Sequence, residues 1–128
     1  LTEKSIGFQI DGIIKESKRT AGDYSYLVYQ FVGLDADILR RVSDSIAAKL
    51  DKKSVILLIS DKGQCICRVS KDLKGVVSAG DILGKILKPL GGSGGGRDDF
   101  AQGGLKDTKK IEQVLNKAQE VIKEELSK

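Results

Sequence analysis

The chain of 128 residues contains no histidine, no tryptophan and no methionine, with one proline and two cysteines. Without histidine, the Ser–His and metal–His constellations of hydrolases have no counterpart, and two cysteines alone make a poor zinc site. Aromatic residues make up 5%, too few for a surface that holds single-stranded nucleic acid on a row of rings. No apolar run approaches a membrane span, and the amino terminus lacks the basic-then-apolar order of a signal peptide. The net charge of +4 permits a polyanionic partner without requiring one. The first residue is Leu1, from which a piece of a longer protein is expected.

What is present is a core. Apolar residues reach 40%, enough for one globular domain over 1–128. Ile6, Phe8 and Ile10 alternate at period two, so residues 6–15 are expected to form a strand, paired in a hairpin with Tyr24–Phe31. Ile38, Val42, Ile46 and Leu50 recur at helical spacing behind Asp35, a good N-cap. Val55–Ile59 is a continuous apolar run that predicts a central strand covered on both faces. Ser60-Asp61-Lys62-Gly63 then turns the chain into a strand over Gln64–Val69, where Cys65 and Cys67 share a face as reduced thiols. Ser78-Ala79-Gly80-Asp81 has the pattern of a capping box and opens a second helix. Asp107 caps a terminal amphipathic helix over 108–126. The fold class expected is α/β of the α+β type: one mixed or antiparallel sheet with helices packed against it.

Between the last two helices lies a glycine-rich segment, residues 91–104, reading GGSGGGRDDFAQGG. It is expected to be an ordered loop, because both flanking helices carry apolar stripes and the run holds Arg97, Asp98, Asp99, Phe100 and Gln102, which a slack spacer does not need. It has neither the Gly-Lys-Ser/Thr ending of a P-loop nor the spacing of a dinucleotide fingerprint. Phe100 is expected to plug the loop onto the core. The aspartates at 11, 35, 37, 61, 72 and 81 suit turns and caps better than a two-metal centre.

This segment closely resembles the carboxy-terminal signature of alanyl-tRNA synthetases, with shorter versions in DHHA1-type domains of DHH phosphoesterases. Val32-Gly33-Leu34-Asp35, Leu39-Arg40, Val69-Ser70-Lys71-Asp72-Leu73 and Ala79-Gly80-Asp81-Ile82-Leu83 extend the resemblance in the same order. The resemblance implies a DHHA1-like, non-catalytic C-terminal domain that contacts the tRNA elbow and assists aminoacylation and editing by a parent alanine–tRNA ligase. It implies no cofactor in this piece and ATP, magnesium and zinc in the parent. The implied partners are tRNA, the remaining domains of the parent and a possible homodimer, with no membrane and a cytoplasmic location (or a mitochondrial parent). Two positions depart from the signature: Asp98 stands where a proline is usual and Leu105 where a third glycine is usual.

The candidate nucleic-acid-binding side chains are Arg97, Gln102, Lys88, Lys106, Lys109 and Lys110, with the loop backbone at Gly91, Gly92, Gly94, Gly95, Gly96, Gly103 and Gly104. Lysines in the first turn of a helix oppose its dipole, so Lys109 and Lys110 need a reason other than local stability. The competing reading is a dimerisation or protein-interaction module, using an exposed stripe of the last helix at Val114, Val121 and Ile122.

Overall fold

A computed structural model describes Ile10 and residues 12–21, 24–50, 53–73 and 75–126. Its elements are helix α1 (residues 12–17), strands β1 (Arg19–Ala21) and β2 (Tyr24–Phe31), helix α2 (Ala36–Lys49), and strands β3 (Ser54–Ser60) and β4 (Gln64–Val69). Helix α3 (Ala79–Leu87), strands β5 (Ser93–Gly96) and β6 (Phe100–Gly104) and helix α4 (Ile111–Leu126) follow among the described residues. Single 3-10 turns lie at Lys71–Leu73, Lys88–Leu90 and Thr108–Lys110, so the α-helix expected over 108–126 begins at Ile111. Among the described residues six strands form one sheet in the order β1-β2-β3-β4-β6-β5. Of these strands β2 and β3 run parallel, and the other neighbours β1–β2, β3–β4, β4–β6 and β5–β6 are antiparallel.

β3 is buried at all seven positions. Its alternation sends Val55, Leu57 and Ile59 to one face and Ile56 and Leu58 to the other. Fully burying each such side chain contributes about 1.5–3 kcal/mol. The first face is closed by α3 and α4, through Ile82, Leu83, Ile86, Val114, Ala118 and Ile122. The second is closed by α1 and α2, through Ile10, Ile13, Leu39, Val42 and Ile46.

Asp35 accepts the Ile38 amide at 3.0 Å, as its N-cap position predicts. The turn after β3 is organised by buried Ser60, whose hydroxyl accepts the amides of Lys62 and Gln64 at 3.2 Å. Asp61 there accepts the Gly33 amide at 3.1 Å, which ties this turn to the entrance of α2.

Two expectations are corrected. Ile10 and residues 12–17 are helical rather than strand, and Arg19–Ala21 is the strand that pairs with β2. Ile10, Ile13 and Ile14 lie at the three-and-four spacing of a helix face and pack on the second core layer. Ile6 and Phe8, which carried the alternation, lie outside the described residues. The second correction concerns Ser78. It is the N-cap of α3, but its side chain makes no cap bond.

Candidate nucleic-acid interface

The glycine-rich segment is a β-hairpin at the edge of the sheet. Its strands pair in the register Ser93↔Gly104, Gly94↔Gly103, Gly95↔Gln102 and Gly96↔Ala101. Glycine is required for steric reasons. A Cβ on Gly103 would lie 2.4 Å from the Ser93 carbonyl oxygen, and one on Gly96 would lie 2.6 Å from that of Phe100. A Cβ on Gly94 would press on Leu83 and Leu87 of α3 at 3.0–3.1 Å, and one on Gly92 would meet the Gly104 carbonyl oxygen at 2.7 Å. Gly95 is the exception within β5, with nothing inside 4 Å of a Cβ. The run therefore lets α3 lie directly on a backbone ribbon.

The hairpin tip completes α3. The Ala79 amide donates to the Asp98 carbonyl at 2.8 Å and the Gly80 amide to the Arg97 carbonyl at 3.2 Å. Amides at a helix start are otherwise unpaired and attract anions. Here backbone carbonyls occupy them, which replaces the capping box and removes that helix start as a phosphate cradle. Leu105, where the related signature carries glycine, is a core residue at 4% exposure, and its amide donates to the Gly63 carbonyl at 2.8 Å.

The predicted side chains divide into two sets. Arg97 is at the hairpin tip, 77% exposed, with its Nε 3.7 Å from a carboxylate oxygen of Asp99. Such an exposed pair contributes little to stability, about 0–1 kcal/mol. Lys88, Lys106, Lys109 and Lys110 stand at the opposite end, around Gly91 and the start of α4. Lys110 Nζ donates to the Leu90 carbonyl at 3.5 Å, and Asp107 accepts the Lys109 amide at 3.0 Å. The hairpin strands hold the two ends about 15 Å apart, at about 3.3 Å per residue. Gln102 is exposed between them, on the side of the sheet that bears α2. The stripe expected to mediate dimerisation is not available: Val114 and Ile122 are fully buried and Val121 packs partly against the same core.

A cluster that the sequence does not announce surrounds Phe100. The ring is half-buried against the second core layer, as a plug would be, and two guanidinium carbons, of Arg40 and Arg68, each lie 5.1 Å from its centroid. Arg68 is the cross-strand partner of Phe100 and forms an ion pair with Asp44 on α2. Arg68 Nε and Gln64 Oε1 are buried without hydrogen-bond partners. Two depressions flank the cluster along α2. One of about 300 Å³ is lined by Ser54, Arg68, Ser70, Lys71 and Asp99. The other, about 210 Å³, is lined by Ala36, Leu39, Gln64 and Gln102. In the sequence, Phe100 and Leu39-Arg40 both fall within the resembling segments, but nothing there links them to each other or to Arg68.

Cys65 and Cys67 are free and buried. Desolvation pushes both thiols up, Cys65 further because a Cys67 thiolate would repel its own, and Cys67 to about 12. They are protonated core side chains with no nucleophilic character at neutral pH. Among the described residues no group of three His, Cys, Asp or Glu side chains is placed to hold a metal. Among them, too, no helix is long and apolar enough to cross a membrane.

A mixed sheet with two helices on each face and a glycine-rich hairpin beneath one of them defines an α/β module whose distinguishing surface is basic and partly backbone. The family model of the DHHA1 domain matches residues 23–124. The chain belongs to the DHHA1 family, in its alanyl-tRNA synthetase C-Ala branch. The C-Ala domain of Aquifex aeolicus alanyl-tRNA synthetase superposes with a TM-score of 0.74 at 31% identity, covering 88% of this chain and 99% of that one. The alanine–tRNA ligase of Natranaerobius thermophilus is 36% identical over 124 residues, 94% of this chain and 14% of the relative. That of Clostridioides difficile is 36% identical over 118 residues, 89% of this chain and 13% of the relative. The chain thus spans about one seventh of these ligases. RecJ of Thermus thermophilus shares the fold, with a TM-score of 0.67 at 13% identity over 90% of this chain and 17% of RecJ.

Proposed function

We propose that this chain is the tRNA-binding C-terminal domain of an alanine–tRNA ligase and is itself non-catalytic. The observation that carries this reading is the near-complete superposition on a C-Ala domain at 31% identity. Aminoacylation, editing and the ATP, magnesium and zinc they use belong to the rest of the parent, in a cytoplasmic setting like that of its bacterial relatives. The domain contacts the tRNA elbow and keeps one tRNA available to both activities. Arg97 at the tip and Lys88, Lys106, Lys109 and Lys110 at the base supply phosphate contacts, which position RNA without reading its sequence. The exposure of Arg97, Lys88, Lys106 and Lys109 supports that assignment.

A gel-shift comparison of intact tRNA with an acceptor-stem minihelix tests the elbow reading. Intact tRNA is expected to bind and the minihelix to bind at least tenfold more weakly. Equal binding refutes elbow recognition. Neutralising Lys106, Lys109 and Lys110 together is expected to weaken tRNA binding and to lower the slope of log affinity against log salt by about 1 per lost contact.

A further inference from the structure

The helices do not cover the sheet evenly. On one face α3 reaches β4, β5 and β6, whereas on the other α2 packs on β3 and β4. Among the described residues, the α2 side of β5 and β6 is left as an open shelf. Strand alternation places Ser93, Gly95 and Gln102 on it, since Gly94 faces Leu83 and Leu87 on the opposite side. All three shelf residues are exposed, and the space above Gly95 is empty. A floor with so few side chains lets a partner approach the peptide planes directly.

The wall of this shelf is charged. Arg40 and Arg68 flank Phe100, and among the described residues one carboxylate, Asp44, pairs with Arg68 while Arg40 meets none within ion-pair distance. Of the two guanidinium groups beside this ring, Arg68 is ion-paired with Asp44 and shares a depression with Asp99, so the Arg40 guanidinium carries the positive charge at the rim of a flat floor. Guanidinium forks match phosphate oxygens two at a time. The Gln102 amide, which both donates and accepts, suits a ribose hydroxyl.

We propose that the shelf formed by β5 and β6, together with the Arg40–Phe100–Arg68 cluster, is the surface on which an RNA backbone lies. This rests on the RNA-binding reading above and adds a second face to the phosphate contacts that Arg97 and the lysines at the base of the hairpin supply. Arg40 holds phosphate, Phe100 and the Asp44-paired Arg68 position its guanidinium, and Gly95 keeps the floor low enough for the sugar–phosphate chain.

The test uses the 128-residue chain and a fluorescently labelled, unmodified tRNA transcript, followed by anisotropy across salt concentrations. Gly95→Leu covers the floor at a position where a side chain meets no neighbour, and Arg40→Gln removes the unpaired charge. Lys117→Gln on α4, on the opposite face, removes an equal charge as a control. Both shelf variants are expected to raise Kd about tenfold with circular dichroism and melting unchanged, and the control to leave Kd within about twofold. Arg40→Gln is also expected to lower the salt slope by about 1, while Gly95→Leu leaves it unaltered. Shelf variants that fold and bind tRNA like the unmodified chain overturn this assignment while the RNA reading stands. An unmodified chain that binds no tRNA overturns both. Self-association lost in the shelf variants with tRNA binding intact gives the face to a protein partner and overturns it as well.

Discussion

Replacing Gly103 by alanine puts a methyl group 2.4 Å from the Ser93 carbonyl oxygen, 2.6 Å from the Gly94 Cα and 2.9 Å from Leu87 Cδ1. Two of these neighbours are backbone, so the paired strand itself must move. Overpacking of this kind costs about 1–3 kcal/mol. Gly95→Ala, in the facing strand, meets nothing within 4 Å. It is expected to be neutral or to stabilise by about 0.4–1 kcal/mol, because alanine narrows the unfolded ensemble. The two variants should therefore separate by about 1–4 kcal/mol, or roughly 10 °C in Tm at the middle of that range for a domain of this size. Urea titration monitored by far-UV circular dichroism measures the difference directly. A slack linker would tolerate both changes alike. Unfolding free energies within about 0.5 kcal/mol of each other would refute a steric requirement for glycine at position 103, since the expected separation exceeds the scatter of such measurements.

Leu105→Ala is expected to cost about 2–5 kcal/mol in the same assay, since this side chain is buried in the core layer beneath α3 and α4; a loss below about 1 kcal/mol would show that the site collapses freely. The buried thiols predict an alkaline loss of stability. Unfolded thiols release their protons near the ordinary value of 9.0, whereas folded Cys67 holds its proton to about 12. The unfolded state then binds fewer protons, so the stability is full below pH 9.0 and falls as pH rises toward 12. The slope approaches about 1.4 kcal/mol per pH unit for each thiol. Subtracting the slope of a Cys65→Ala/Cys67→Ala double variant isolates it; identical slopes would contradict the assignment.

What could be read from the residues depends on whether side chains carry the information. The Val55–Ile59 run and the helical stripes of α2 and α4 announced themselves, because burial selects apolar residues at fixed periods. Asp35 and Asp107 were legible as caps for the same local reason. β5 was not legible. A strand reading Ser-Gly-Gly-Gly has no apolar pattern, and its pairing with β6 comes from close approach of backbones. The same extended strands hold Arg97 and Lys106, both candidate RNA contacts, at opposite ends of the hairpin. At α1 an alternation through Ile6 and Phe8 competed with the helical spacing of Ile10, Ile13 and Ile14, and tertiary burial decided for the helix. The Arg40–Phe100–Arg68 cluster joins residues far apart in sequence, brought together by the β4–β6 register and by the packing of α2 on the sheet.

The two bonds from Ala79 and Gly80 to the hairpin tip also bear on the order in which the chain acquires structure. Most helices can start from a cap supplied by their own first residues. α3 cannot, because the groups that finish its first turn arrive only after the whole glycine ribbon has been made and folded back. On a ribosome this segment leaves the tunnel with frayed leading amides and is held, if at all, by its apolar face. Closing that end requires a non-local contact, whose loop entropy must be met before any gain is realised. α3, β5 and β6 should therefore form as one cooperative unit, late, and be lost together, with amide exchange at Ala79 and Gly80 tracking that of the hairpin rather than that of the rest of the helix.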